Sequence, residues 1–276
     1  MTTCPNRTSS SRRPSQSKSV DDTTALPPFA RLEAPANWRA VELISDLHLD
    51  EGDSPTFEAW RRYMASTAAD ALIILGDLFE VWVGDDAADR PGFAAHCAQV
   101  LRETGTRLPV FFMHGNRDFL VGAGLLDGCG VKLLDDPTVL EFAGTRWLLT
   151  HGDALCVDDA DYVRFRAEVR APGWQRAFLA RPLPERQAIG RDLRSQSETR
   201  KRSGASYGDV DPALAQQWLD AVSADVLVPG HTPRPGDHAL GARQGIVLSD
   251  WDASAAPPRL QVLRLSAAGA RRIELA

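Results

Sequence analysis

From Trp38 onward the chain is written in two kinds of apolar pattern. Short, mostly apolar runs at 41–45, 71–75 and 109–113 lead into Asp46, Gly76 and His114. Such runs predict strands buried on both faces. Between the first two, Phe57, Trp60, Met64 and Ala68 recur at helical spacing and predict a helix over 55–68. Further helices are expected at 92–104 and 119–128, and strands at 131–134, 138–142 and 145–150. The turn Ala143-Gly144-Thr145 predicts a hairpin between the last two. The final third adds strands at 225–228, 245–249, 259–265 and 271–275. An early β-α-β-α-β order argues for parallel pairing and the hairpin for a mixed sheet. The expectation is an α/β fold of two packed mixed β-sheets flanked by helices.

Two stretches break the pattern. Residues 1–36 are rich in Ser, Thr, Arg and Pro and poor in large apolar side chains, which predicts a disordered tail before a domain at 37–276. Arg12-Arg13 lacks the apolar segment that an export signal carries, so export is not expected. The second stretch, at about 158–208, reads as a helical insertion. Between Arg164 and Arg202 stand eleven basic and four acidic residues, a net +7, in a chain whose net charge is −6. Phe165, Val169, Trp174, Phe178, Leu179, Leu183, Ile189 and Leu193 are interleaved with them. A basic amphipathic helical segment suits an anionic lipid surface. A solvated cap whose charges only aid solubility is the alternative.

With 276 residues, 43% of them apolar, the chain can bury a sizeable core. The mild net charge gives no reason to expect nucleic acid, and nothing points to a protein partner. Cys4, Cys97, Cys129 and Cys156 form neither a C-x-x-C pair nor a disulfide framework. Reduced thiols in a cytoplasmic protein are expected, with Cys156 a packed residue rather than a nucleophile.

The chemistry lies where the strands end. The run 41–45 is followed by Asp46 and His48, and 71–75 by Gly76-Asp77. The next, 110–113, is followed by His114, Asn116, Arg117 and Asp118. After 145–150 come His151 and Asp153, and after 226–229 come Gly230-His231-Thr232. In open α/β sheets ligands bind at such ends. One aspartate after a strand usually caps a turn, and one histidine is usually a satisfied core or surface residue. Five such endings in order are not explained that way. Imidazoles mixed with carboxylates suit Mn, Fe, Zn or Co. D-x-H on an extended strand end would put Asp46 and His48 on one face. Asp77, with no ligand beside it in sequence, is the candidate to bridge two ions. A two-ion site activates water for in-line attack on phosphorus.

These motifs, D-x-H at 46–48, G-D at 76–77, G-N at 115–116, H-G-D at 151–153 and G-H-T at 230–232, resemble the calcineurin-like metallophosphoesterases over about residues 40–275. In finer detail, Gly76-Asp-Leu-Phe-Glu-Val-Trp-Val-Gly-Asp-Asp86 and His114-Gly-Asn-Arg-Asp-Phe-Leu120 are similar to the branch that hydrolyses UDP-2,3-diacylglucosamine in lipid A biosynthesis. The resemblance implies cleavage of that diphosphate to 2,3-diacylglucosamine 1-phosphate and UMP, with two Mn²⁺ per chain. It implies Asp46, His48 and Asp77 for the first ion and Asp77, Asn116, His151 and His231 for the second. Asn116, Arg117 and His231 are implied in catalysis, with Arg117 on phosphate. Asp159, Tyr162, Ser197, Lys201 and Arg202 are implied around the glucosamine end of the substrate. It further implies that the 158–208 insertion holds the acyl chains, at the cytoplasmic face of the inner membrane.

One position departs. The family pattern ends G-H-T-H-R-P, whereas this chain reads Gly230-His-Thr-Pro-Arg-Pro235, so Pro233 stands where a second histidine would complete the first ion's ligands. Proline offers no side-chain ligand. Three readings follow: a diphosphatase with a weakened first metal site, a phosphoesterase for another substrate, or a binding protein without activity.

Overall fold

The computed structural model describes residues 26–202, 209–232 and 234–275, and over 196–202 only the path of a helix. Two six-stranded sheets face each other. One runs in the order β1 (Ala30–Glu33), β6 (Thr138–Phe142), β7 (Thr145–Thr150), β8 (Val226–Pro229), β10 (Arg243–Val247), β9 (Gly236–Leu240). The other runs β12 (Gly269–Glu274), β11 (Gln261–Ser266), β2 (Ala40–Ile44), β3 (Ala71–Ile74), β4 (Val110–Met113), β5 (Val131–Leu134). Both are mixed. β2 to β5 pair in parallel, while β11 is antiparallel to its neighbours β2 and β12.

The mostly apolar runs are explained by burial on both faces. In β3, Ala71 and Ile73 point to the opposite sheet, where with Val41, Leu43 and Phe111 they meet Leu140, Trp147, Leu149 and Val228. Leu72 and Ile74 point the other way, onto helices α1 (Ser54–Ser66) and α2 (Phe93–Gly105), through Trp60, Met64, Cys97 and Leu101. On the far face of the other sheet, Val139, Leu148 and Leu227 pack on Ala215, Trp218 and Leu219 of helix α7 (Pro212–Val222). α1 begins where Asp53 accepts the Thr56 N–H and Pro55 opens the first turn. A short helix α3 (Ala123–Gly128) precedes β5. The basic insertion forms α4 (Ala160–Val169), α5 (Pro172–Leu179) and α6 (Leu183–Arg202).

Two expectations are corrected. Residues 30–33 are an edge strand, parallel to β6, rather than part of a tail ending at 36. Leu32 packs into the core between the sheets and Phe29 meets Trp218 edge-on at 5.9 Å. So short a strand has too few apolar residues to be visible locally, and its stability comes from a partner over a hundred positions away. The expected strand at 245–249 is Arg243–Val247, preceded by β9, which the sequence reading missed. β9 is exposed along most of its length, so it carries little apolar signal.

If β1 belongs to the domain, a chain starting at residue 37 loses the burial of Leu32 and Phe29. Its melting temperature is expected to fall by about 5 °C or more in a thermal scan. An unchanged value would show that β1 adds no stability.

Candidate metal centre

Asp77 is 2% exposed, at the end of β3. The pairing of β2 with β3 continues past both strands, with Asp46 N–H on Gly76 O (3.1 Å), His48 N–H on Asp77 O (3.0 Å) and Leu49 N–H on Leu78 O (2.9 Å). Within these loops Asp46, His48 and Asp77 have φ of 55°, 48° and 51°. Across the site His231 has φ 63°. The side chains of Asp46 and His48 therefore converge through left-handed backbone, not through strand alternation as the D-x-H spacing suggested. Each such residue costs about 1–3 kcal/mol, held by the surrounding hydrogen bonds.

Two triads result. Oxygens and nitrogens of Asp46, His48 and Asp77 lie within 4.8 Å of one another, as do those of Asp77, His151 and His231. Asp77 belongs to both. Its Oδ2 is 4.0 Å from His48 Nε2 and its Oδ1 is 3.7 Å from His151 Nε2. Other contacts aim the ligands. Asp46 Oδ2 accepts the Ser45 hydroxyl (2.6 Å) and the His231 N–H (2.9 Å), while Oδ1 faces His48 Nε2 at 3.9 Å. His151 Nδ1 is 2.9 Å from the Leu75 carbonyl, which can only accept, so Nδ1 carries a proton. His151 Nε2 is left toward Asp77 and Asn116 Oδ1, the latter at 3.0 Å. Asp77 Oδ1 also accepts the Arg117 N–H at 2.8 Å. Gly115 has to be glycine, because a β-carbon there would collide with the Asp77 carboxylate. Asp118 locks the loop after β4 to the loop after β3 by accepting the N–H groups of Gly115 (2.8 Å) and Leu78 (2.7 Å).

Burial pushes the Asp77 carboxyl up to about 6, against the pull of His151 and His48. Burial lowers His151, but the charges of Asp77, Asp153 and Asp46 outweigh it and raise the imidazole to about 9. Burial and the His151 charge push His231 down to about 4. At neutral pH the metal-free centre therefore holds anionic Asp77 against cationic His151, with His231 neutral. Carboxylates and imidazoles converging from four loops, one carboxylate shared, are a donor set suited to a transition-metal pair. Asp46, His48, Asp77, His151 and His231 are the candidate ligands, with Asn116 placed beside the second triad. Pro233 lies outside the described residues.

The described cap residues are tied to the centre and to their own helix by hydrogen bonds. Asp159 Oδ1 caps α4 by accepting the N–H groups of Asp161 (3.1 Å) and Tyr162 (2.9 Å). Tyr162, Arg166 and Arg170 recur every fourth residue and form one face of α4 turned to the centre. The Tyr162 hydroxyl and Arg166 Nε donate to Asp153 Oδ2 at 2.8 and 2.7 Å, and the Tyr162 ring stacks on His231 at 6.1 Å. Arg170 donates to Gly115 O at 2.8 Å. Burial opposes ionisation of Asp153, but His151, Arg166 and Arg170 hold its carboxyl well below the usual range. Arg186 of α6, nearly fully buried, bonds Val83 O and Asp86, which explains the Val83-Gly-Asp-Asp86 run. Ser197, Lys201 and Arg202 fall on the last turns of α6, where side chains are outside the described set. Arg117 sits at the edge of the centre, with Nη1 3.4 Å from Glu80 Oε1. Burial pushes the Cys156 thiol up to about 12, which removes it as a nucleophile.

Sequence reading assigned no role to Glu80, Asp153, Arg166 or Arg170. The signals were present: an acid three residues after Asp77, the acid of H-G-D, and a polar i, i+4, i+8 stripe. None was interpretable before the loops were brought together.

Residues 41–235 match the family of calcineurin-like phosphoesterases. The chain belongs to that family. Its relatives include the UDP-2,3-diacylglucosamine hydrolase of Chromobacterium violaceum, 47% identical over 222 residues, 77% of this chain and 90% of that protein. The protein of the same name from Ralstonia nicotianae is 44% identical over 240 residues, 82% and 88% of the two chains. That from Xanthomonas axonopodis pv. citri is 41% identical over 251 residues, 84% and 98%.

Because a ligand must lose its proton to bind, metal uptake below about pH 9 expels one from His151. Calorimetric affinity of the metal-free protein for Mn²⁺ is expected to fall at least about tenfold per pH unit below that point. It should fall more steeply below about 6, where Asp77 also protonates. A pH-independent affinity would contradict the assigned ligands. Asp77→Ala removes a donor from both triads, so calorimetry should register binding at neither.

Proposed function

We propose that the chain hydrolyses UDP-2,3-diacylglucosamine to 2,3-diacylglucosamine 1-phosphate and UMP. The observation that carries this reading is a carboxylate shared by two ligand triads with Arg117 beside it, under a helical cap. Bound divalent ions would supply Lewis-acid activation of water and of the phosphoryl oxygens. The chain's own residues would do the rest. Arg117 can leave Glu80 for a diphosphate oxygen, a charge-assisted contact that favours the more anionic transition state. Asn116 can reach both the second triad and a phosphoryl oxygen. His231, neutral at working pH, can accept or orient a proton when it is not fully engaged as a ligand.

The cap supports an acylated substrate. A small crevice runs from Asn116 beneath α4, with Phe119, Phe165 and Val169 as apolar walls and Arg166 and Arg170 as charged ones. Val163, Phe165, Leu179 and Leu193 are exposed on the cap, among its arginines. Among the described residues no helix is long and apolar enough to cross a membrane. On this reading the enzyme works peripherally, on the cytoplasmic face of the inner membrane, where its substrate's acyl chains are anchored. Mn²⁺ is the proposed ion, and Asp159, Tyr162, Ser197, Lys201 and Arg202 are proposed around the glucosamine end. Tyr162 lines the crevice, and Asp159 caps the helix that carries it.

The test is UMP release from UDP-2,3-diacylglucosamine by the purified chain, with Mn²⁺, Mg²⁺, Co²⁺ or Zn²⁺ supplied in turn. Release with Mn²⁺, and little from the deacylated UDP-sugar, is expected. No UMP with any of the four ions would overturn the reading. Equal rates on both substrates would remove the acyl-chain role of the cap.

A further inference from the structure

Glu80 is the acidic residue three positions after Asp77, and its side chain is only 12% exposed. Its backbone N–H donates to Leu49 O at 3.1 Å, which fixes it against the loop carrying His48. Three cationic or titratable groups from three separate elements close on its carboxylate. Oε2 lies 3.1 Å from His48 Nδ1, a close electrostatic contact somewhat off the line of a hydrogen bond. Oε1 lies 3.4 Å from Arg117 Nη1, in the loop after β4. Oε1 also lies 3.3 Å from Arg194 Nε on cap helix α6. Arg194 extends past Glu80, its Nη1 2.8 Å from Asp50 Oδ2, two residues beyond His48. One largely covered carboxylate therefore joins a triad residue, the arginine beside the triads and the cap.

The consequence for His48 is specific. A carboxylate facing Nδ1 keeps the proton on that nitrogen and leaves the Nε2 lone pair toward Asp46 and Asp77. His48 Nε2 is the atom that faces both, at 3.9 and 4.0 Å. Without a partner at Nδ1 the ring can take either tautomer and swing, and only one arrangement serves a cation. The cap enters through Arg194, which opposes the charge of Glu80 and ties α6 to the same loop. An ordinary surface ion pair would do none of this, since its partners would be exposed and screened.

We propose that Glu80 is a positioning residue, which holds His48 in its metal-binding tautomer and transmits the docking of α6 to the first triad through Arg194. It rests on the candidate ligands and not on the identity of the substrate.

The test reads the metal site directly, on the full chain. Mn²⁺ binding is followed by the paramagnetic resonance signal of the free ion. Histidine tautomers in the metal-free protein are read from imidazole ¹⁵N shifts. Glu80→Ala is expected to weaken binding at the weaker site about 10–100-fold and to move the His48 nitrogens toward mixed-tautomer shifts. Glu80→Gln, which keeps an acceptor and the side-chain shape, should recover part of the affinity. Arg194→Met should weaken the site about threefold. The double variant Glu80→Ala/Arg194→Met should be no weaker than Glu80→Ala alone, because Arg194 acts through Glu80. Affinity within twofold of the parent in both Glu80→Gln and Glu80→Ala, with unchanged His48 shifts, would overturn the proposal. Additive effects of Glu80→Ala and Arg194→Met would overturn its cap component. If Glu80→Ala does not fold, Mn²⁺ affinities of Glu80→Gln and Arg194→Met both within twofold of the parent would overturn it. Absence of UMP release in the parent leaves these readouts intact.

Discussion

One buried carboxylate sets the terms for the rest of the molecule. Asp77 presents one oxygen to each of two ligand triads, and burial makes its charge expensive to maintain. The protein answers at Oδ1 with cationic His151 and the Arg117 N–H. Holding this arrangement demands strained backbone at Asp46, His48, Asp77 and His231, and glycine at 115. It also demands that β2 and β3 stay hydrogen-bonded beyond their regular ends. The two hydrophobic layers around the strands make such strain tolerable, because the loops they launch have nowhere else to relax.

The cap is attached by charge as well as by apolar packing, the latter through Trp174, Phe178, Leu183 and Ile189. Arg166 and Arg170 reach Asp153 and Gly115, Arg186 reaches Val83 and Asp86, and Arg194 reaches Glu80 and Asp50. Four of the basic residues that made the insertion look like a lipid-binding segment thus point inward and hold it to the domain. Some apolar side chains of the cap are correspondingly left outside, among them Phe165, Leu179 and Leu193. The net charge of the segment therefore has two sources. Part anchors the cap over the metal centre, and part, such as Arg164 and Arg181, remains on its outer surface.

Legibility followed the range of the interactions involved. The elements at 71–75, 131–134, 138–142 and 145–150 were readable because their apolar runs and the Ala143-Gly144 turn are local signals. β1 and β9 were not, since an exposed or very short strand is stabilised by its neighbour rather than by its own composition. At the centre, the ligand types and their order were readable from five strand endings. Their mode of convergence was misread for Asp46 and His48, where left-handed backbone replaces strand alternation. Glu80, whose carboxylate faces His48, and Asp153, which accepts from Tyr162 and Arg166, were not distinguishable from turn caps.

By itself, then, the sequence determined the α/β alternation, the two-sided burial of the strands, and a set of carboxylates and imidazoles at their ends. These follow from periodicity and residue chemistry, which act over a few positions. Only the tertiary structure decided that Asp77 divides its two oxygens between triads, that Tyr162, Arg166 and Arg170 face inward, and that Arg194 reaches Glu80. Those facts depend on loops and helices far apart in the chain meeting within a few ångströms. Backbone strain and buried charge are paid for there by packing that no local window contains.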